Sequence, residues 1–256
     1  MNYCSHILTH VFHSFALMNM AIDAGNSLTK IGIFEGEQLK ERKVFASIED
    51  VEHFVAGVSV ANLILGSVAA QHTDVVGQLR VTGVRMTLTH ALPVPITNAY
   101  ATPETLGVDR LAAACGARLR FPEEASLVID IGTCINYEFI DAHGTYRGGA
   151  ISPGITMRFQ SMHQFTHRLP VSAALQDAPL TGSSTVSCLQ SGVMNGLLAE
   201  MEGIADRYRI DNPGIRVILT GGDAHFFEIL MKPSIFVAPD LVLEGLNSIL
   251  MHNVNR

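Results

Sequence analysis

The first sustained strand pattern begins at Ala21, where an apolar run through Ile22 ends in Asp23-Ala24-Gly25-Asn26-Ser27. A second run over 29–34 follows that turn, Glu35-Gly36-Glu37 reverses the chain, and a third run occupies 39–45. Short apolar runs separated by Gly- and Asn-containing turns predict a hairpin extended into a meander. The same pattern returns a hundred residues later. Leu127-Val128-Ile129 runs into Asp130-Ile131-Gly132-Thr133, a strand is expected over 135–140, and His143-Gly144 turns the chain into another over 145–151.

Alternating elements follow each hairpin. In the first half, 63–68 reads as a buried strand, 73–80 as a helix, 94–96 as a short strand and 105–120 as a longer helix. In the second half, helices are expected over 185–207 and 243–252, with strands at 217–219 and 235–237. Strand-length apolar runs alternating with helical-period segments predict an α/β protein. The repeated strand–Asp-x-Gly–hairpin unit predicts two similar lobes, each a mixed β-sheet with a hairpin and flanking helices. The polar stretch Phe121-Pro122-Glu123-Glu124 is the expected boundary, giving lobes over 20–121 and 122–256 with a ligand cleft between them.

Residues 1–19 contain no Lys, Arg, Asp or Glu and three histidines, His6, His10 and His13. The stretch lacks the basic region of a signal peptide and is too interrupted for a membrane span, so it reads as a dispensable extension. The chain of 256 residues is 48% hydrophobic and 16% charged, an ordinary globular composition. Its net charge of −7 argues against a general nucleic-acid binder, because no basic surplus displaces counterions from a phosphate backbone. Cys4, Cys115, Cys134 and Cys188 show no metal-ligand spacing and read as reduced thiols of a cytoplasmic protein.

The two turns carry the candidate chemistry. A tight turn exposes backbone N–H groups, glycine permits close approach of an anion, and Asn26, Ser27 and Thr133 add small polar side chains. A carboxylate at the strand end repels phosphate unless a cation intervenes, so Asp23 and Asp130 make sense together with a metal, and Lys30 adds a neutralising charge. A single such turn is more often plain structure; the repetition is what points to a phosphate site. The chain contains neither G-x-x-x-x-G-K-[ST] nor G-x-G-x-x-G, which excludes P-loop and Rossmann readings.

The ordered motifs resemble those of the type III pantothenate kinases. Asp23-Ala24-Gly25-Asn26-Ser27-Leu28-Thr29-Lys30 is similar to their first phosphate motif, and Gly107-Val108-Asp109-Arg110 to their substrate motif. Asp130-Ile131-Gly132-Thr133 with the continuation from Gly148 to Gly154 resembles the second phosphate motif. Ser184-Thr185, Thr220-Gly221-Gly222 and Asp240 to Leu246 fit in the same order. The resemblance implies a ribonuclease H-like, actin-like fold and transfer of the γ-phosphoryl group of ATP to pantothenate, opening coenzyme A synthesis. It implies Mg²⁺ with ATP, a monovalent cation (K⁺ or NH₄⁺) and a homodimer, with no nucleic-acid or membrane partner.

By the same resemblance, Asp109 is the base for the acceptor hydroxyl and Arg110 pairs with the pantothenate carboxylate. Tyr100, Gly107 and Val108 line that pocket, and Thr185 reaches substrate from the other subunit. The first motif, from Asp23 to Lys30, and Thr133 contact ATP. Asp130 holds the monovalent cation, and Asp23 contributes to Mg–ATP. Plain alternatives stand beside these roles: Asp109 in the first turn of a helix, Thr185 as an N-cap, Tyr100 as packing. Three positions depart from the resemblance, Cys134 for alanine, Asn136 for threonine and Glu138 for aspartate. His163 and His167, four apart, read as neighbours on one helix face with no metal-site context. Two other activities remain open at this level: a kinase for another small hydroxylated acid, and a non-catalytic accessory factor.

Overall fold

The computed structural model describes residues 14–25, 28–66, 74, 76–228, 231 and 235–256. Two mixed sheets of six strands each are built to the same plan. The first contains β1 (Ser14–Ala24), β2 (Thr29–Glu35), β3 (Gln38–Phe45), β4 (Ser59–Gly66), β5 (Arg80–Val81) and β6 (Arg85–Thr87). Its order is β3-β2-β1-β4-β5, with β6 also on β4. The second contains β7 (Thr97–Asn98), β8 (Ser126–Ile131), β9 (Cys134–Ile140), β10 (Thr145–Pro153), β11 (Arg216–Thr220) and β12 (Ile235–Val237). Its order is β12-β11-β8-β9-β10-β7. In each sheet a hairpin lies antiparallel on one side of the strand that ends in aspartate, and a parallel strand lies on the other.

The repetition extends to single residues. Asp23 faces Lys30 across the first hairpin and Gly66 on the parallel side. Asp130 faces Asn136 and Thr220 in the corresponding places. Strand alternation then decides which way each acid points. Ala21 packs in the central core while Met20 and Ile22 pack in an outer one, so Asp23 shares the inner face with Ala21. Val128 belongs to the central core and Leu127, Ile129 and Ile131 to the opposite outer core, so Asp130 also faces inward.

The helices complete the layers. α1 (Ile48–Val55), capped by Ser47, covers the outer face of the first sheet through Val51 and Val55. α3 (Ile155–Gln164) and α4 (Thr185–Asp211) cover the outer face of the second through Phe159, Leu189, Val193 and Leu197. α2 (Val108–Arg120) and α5 (Leu241–Val254) lie between the sheets. They meet without intervening side chains: a Cβ on Gly245 would overlap the Ala112 carbonyl, and one on Gly116 the Leu241 carbonyl.

The chain does not divide at 121 into two self-contained lobes. β7, from the first half, extends the second sheet beside β10. α5, from the second half, packs on β1, β2 and β4 of the first. Nor does residue 19 bound a separate extension: Ser14 to Asn19 already belong to β1, with Ser14 opposite Ser59 and Asn19 opposite Asn62. The histidines His6, His10 and His13 lie outside the described residues. Smaller differences follow from local chemistry. The strand expected at 94–96 is displaced to Thr97–Asn98, and a 3₁₀ turn at Pro103–Thr105 precedes α2. Of the helix expected over 73–80, Asp74, Val76 and Gly77 are helical and Arg80 is already strand.

Asn19 anchors the first sheet to α5. It accepts a hydrogen bond from Asn62 Nδ2 at 2.9 Å and donates to Asn247 Oδ1 at 3.3 Å, while Asn247 donates to the Gly36 carbonyl at 2.8 Å. Replacing Asn19 with leucine removes partners from the half-buried amide of Asn62 and the buried amide of Asn247, which costs about 1–3 kcal/mol. Urea unfolding of Asn19→Leu therefore shows a lower midpoint at unchanged slope; an unchanged midpoint would remove the anchor role.

Candidate active site

The two hairpin turns lie at the inner ends of β1 and β8. Gly25 N–H donates to the Leu28 carbonyl at 3.1 Å, closing the first turn around 26–27. Asn26 and Ser27 themselves lie outside the described residues. Ala24 is half-buried, Gly25 and Leu28 are exposed, and Thr29 returns into the buried strand. In the second turn Gly132 N–H donates to the Cys134 carbonyl at 2.9 Å, leaving Thr133 exposed at its tip. Two further glycines hold this turn from behind. Gly154 N–H donates to the Thr133 carbonyl at 3.1 Å, and a Cβ there would overlap the Gly132 carbonyl. Gly221, at φ +99°, leaves no room for a Cβ against the Asp130 carboxylate and the Ile131 backbone.

A third acid enters from α2. Gly107 is its N-cap residue, and Asp109 stands exposed in its first turn, its carboxylate folded over the space that a Gly107 side chain would fill. Asp23, Asp109 and Asp130 all lie within electrostatic reach of one another. Burial pushes the Asp23 carboxyl up to about 7; Lys30 opposes that, and Asp130 and Asp109 add to it. Burial likewise pushes Asp130 to about 6, opposed by Lys30 and reinforced by Asp109 and Glu138. Three acids facing one lysine leave a surplus of negative charge that a cation relieves.

That donor set suits a divalent ion carried by phosphates. Among the described residues, no three His, Cys, Asp or Glu side chains converge closely enough to ligate one ion. Magnesium is usually held by one or two carboxylates together with substrate phosphates and water, so acids within electrostatic reach but not clustered as ligands fit it. His163 and His167 form no such centre. α3 ends at Gln164, before His167, and His163 Nδ1 lies 2.7 Å from the Leu169 carbonyl.

Arg110 is one residue further along α2 and turns inward. Only 7% exposed, it donates from Nε and Nη2 to the two oxygens of Glu138 at 2.6 and 2.9 Å. Tyr146 donates to the same carboxylate at 2.5 Å. The Arg110 guanidinium also lies over the Tyr100 ring, 5.7 Å from its centroid, and Tyr100 stacks on Tyr146 at 6.0 Å. Gly148, at φ +98°, leaves space for Tyr100, so the half-buried ring closes one wall of this cluster. Val108 is half-buried beside it.

Asp23, Lys30, Asp109 and Asp130 are thus brought together, and Arg110 and Tyr100 form an adjoining cluster. Thr185 belongs to neither. It stands exposed in the first turn of α4, on the outer layer, and the N-cap is Ser184, which forms a capping box with Ser187. The sequence reading assigned no task to the Glu138–Tyr146 pair. Its signal was a carboxylate at an inward position of β9, where alternation places apolar side chains such as Ile140. Cys115, Cys134 and Cys188 are free thiols.

A family model described as type III pantothenate kinase matches residues 19–207. A type III pantothenate kinase of Cytophaga hutchinsonii is 42% identical over 238 residues, covering 93% of this chain and 100% of that protein. One of Phocaeicola vulgatus is 41% identical, covering 92% and 99%. Among solved structures, a Campylobacter jejuni protein assigned to the Baf family of transcriptional activators aligns with a TM-score of 0.62 at 20% identity, covering 94% of this chain and 100% of that one. A candidate N-acetylmannosamine kinase from Listeria monocytogenes aligns at 0.50 and 12% identity, covering 93% and 100%. At these identities the structural likeness concerns the fold alone, an actin-like arrangement of two sheets.

Because the folded-state pKa of Asp23 is raised, the native protein binds that proton more tightly than the unfolded chain. Its stability contribution is present below the ordinary carboxyl pKa and is lost as pH rises toward 7. Without nucleotide or divalent metal, Asp23→Asn should raise Tm at pH 8 by about 2–6 °C, roughly 1–2 kcal/mol, and by progressively less toward pH 4. Scanning calorimetry across that range checks the sign, and a lower Tm at pH 8 would show that the buried charge is already compensated.

Proposed function

Because the chain belongs to the type III pantothenate kinase family, we propose that the paired turns, the α2 N-terminus and Arg110 are its catalytic and binding machinery. The protein phosphorylates pantothenate with ATP, the first step of coenzyme A synthesis. The observation that carries the residue assignment is the convergence of Asp109 with Asp23 and Asp130 from two separate sheets.

ATP lies between the turns, with the backbone of 23–30 and Thr133 around its phosphates and Lys30 neutralising charge. Asp23 would hold the divalent ion that accompanies ATP, and Asp130 would hold a monovalent cation, K⁺ or NH₄⁺. When bound, these cations supply charge neutralisation for the transferring phosphoryl group. Asp109 accepts the proton of the pantothenate primary hydroxyl as its oxygen bonds to the γ-phosphorus. The bond from that phosphorus to the β–γ bridging oxygen breaks, and ADP leaves. Positioning and electrostatics account for most of such catalysis, because the transition state is loose. Arg110 receives the substrate carboxylate, and Tyr100, Gly107 and Val108 shape the pocket. The exposed place of Asp109 supports its role as base, since an acceptor can reach it directly.

The protein acts as a homodimer in which Thr185 completes the partner's acceptor site. Its exposed place on the outer layer, outside the carboxylate cluster of its own chain, supports that reading. A cytoplasmic location is supported by the free thiols and by the substrates. No helix among the described residues is long and apolar enough to cross a membrane. The presence of Asp23, Asp109, Arg110 and Asp130 together supports catalysis over an accessory role.

Asp109→Asn should lower kcat by about 10²–10⁴-fold, the usual contribution of a general base, with ATP affinity changed less than about twofold. Isothermal titration with a non-hydrolysable ATP analogue, beside steady-state kinetics, separates the two effects. Turnover within a factor of about three of the parent would remove Asp109 as the base. Mixing inactive Asp109→Asn and Thr185→Ala chains under subunit exchange should restore about a quarter of parental activity, since half the dimers then contain one complete site. No recovery despite exchange would place Thr185 in its own chain's site.

A further inference from the structure

We propose that Glu138 is a positioning residue of the acceptor site, holding the Arg110 guanidinium in the orientation that reads the carboxylate of an acid substrate. The proposal rests on the assignment of Arg110 to that carboxylate and goes beyond it by naming what orients the arginine.

Glu138 is 0% exposed, and both its oxygens are engaged. Nε and Nη2 of Arg110 meet them side by side at 2.6 and 2.9 Å, and the Tyr146 hydroxyl adds a third donor at 2.5 Å. Three donors around one carboxylate identify it as the ionised form despite the upward push of burial. The paired bonds fix the plane of the guanidinium as a single contact would not. Its face is limited separately by the Tyr100 ring, which Tyr146 in turn supports. Tyr146 therefore touches both restraints, the carboxylate at the edge of the guanidinium and the ring across its face.

Stability alone does not account for this arrangement. Removing an arginine and a glutamate from water is expensive, and apolar side chains of similar volume often pack as well or better. The remaining face of β9 toward α2 is apolar at Ile140. Glu138 instead gives Arg110 a fixed counter-charge one residue from Asp109, so the arginine has a partner other than the base. An arginine held in this way can accept a substrate carboxylate without first giving up an ion pair to Asp109.

The test compares pantothenate with an analogue in which a primary alcohol replaces the carboxylate. Glu138→Gln keeps size but puts an amide donor against the guanidinium or the tyrosine hydroxyl. It should raise KM for pantothenate about tenfold, as expected for one misdirected charge-assisted contact, and change binding of the neutral analogue by less than about twofold. Dissociation constants by calorimetry, measured with a non-hydrolysable ATP analogue, give the same comparison if the alcohol is not turned over. Glu138→Asp, which retains two acceptor oxygens, should recover part of the discrimination. In an Arg110→Gln background, Glu138→Gln should have no further effect on pantothenate, because the residue acts through the arginine. Folding of each variant is checked by its Tm.

Equal losses for acid and alcohol, or a Glu138→Gln effect that persists without Arg110, would overturn the proposal. If Arg110→Gln discriminates acid from alcohol and Glu138→Gln does not, Glu138 alone is misassigned. If Arg110→Gln does not discriminate, the reading of Arg110 itself fails and the role of Glu138 fails with it.

Discussion

Between the two sheets, α2 and α5 touch backbone to backbone at Gly116 and Gly245. The contact sets the spacing of the whole molecule, since each helix also packs on a sheet. α2 packs on β8 and β9, and α5 on β1, β2 and β4. A side chain at either glycine would force the helices apart, and with them the sheets. The first turn of α2, where Asp109 and Arg110 stand, therefore has a set position relative to both Asp-x-Gly turns. A site assembled from three separate elements depends on this close packing.

The acids in that site are held against their own chemistry. Asp23 and Asp130 sit on inward strand faces beside buried Ala21 and Val128, and burial raises both carboxyls toward neutrality. A protein selected for stability alone would place amides or hydroxyls there. On the proposed reading, bound cations would relieve this electrostatic cost. Gly154 and Gly221 pack closely behind the second turn, where a Cβ would overlap the Gly132 carbonyl and the Ile131 backbone.

Two neighbouring charges on α2 received opposite environments. Asp109 faces solvent at the helix start, where the N-terminal dipole favours it and an acceptor can reach it. Arg110 is turned into the second sheet and paired with Glu138. One residue of helical rotation, about 100°, separates the proposed base from the proposed partner of the substrate carboxylate.

Much of the architecture was legible in the sequence, because its signals are local. Strand-length apolar runs in 21–34 and 127–140 place the strands, the Asp-x-Gly turns mark their ends, and repetition of the unit implies two similar sheets. The ordered motifs from Asp23 to Leu246 likewise pointed to the family. What the sequence did not reveal depends on contacts between distant segments. The exchange of β7 and α5 between the halves has no local mark, since each pairs according to the surface it meets rather than its place in the chain. The early start of β1 at Ser14 depends on β4 as a partner, and Asn19 reads as an ordinary polar residue until Asn62 and Asn247 surround it. Glu138 was visible only as a departure from a motif; its bond to Arg110, 28 positions away, exists because α2 lies across β9. Apolar runs and turn residues determined the strands and put an acid at the end of two of them, whereas tertiary packing decided which way those acids face and which charges meet, because electrostatic partners are chosen by distance in space.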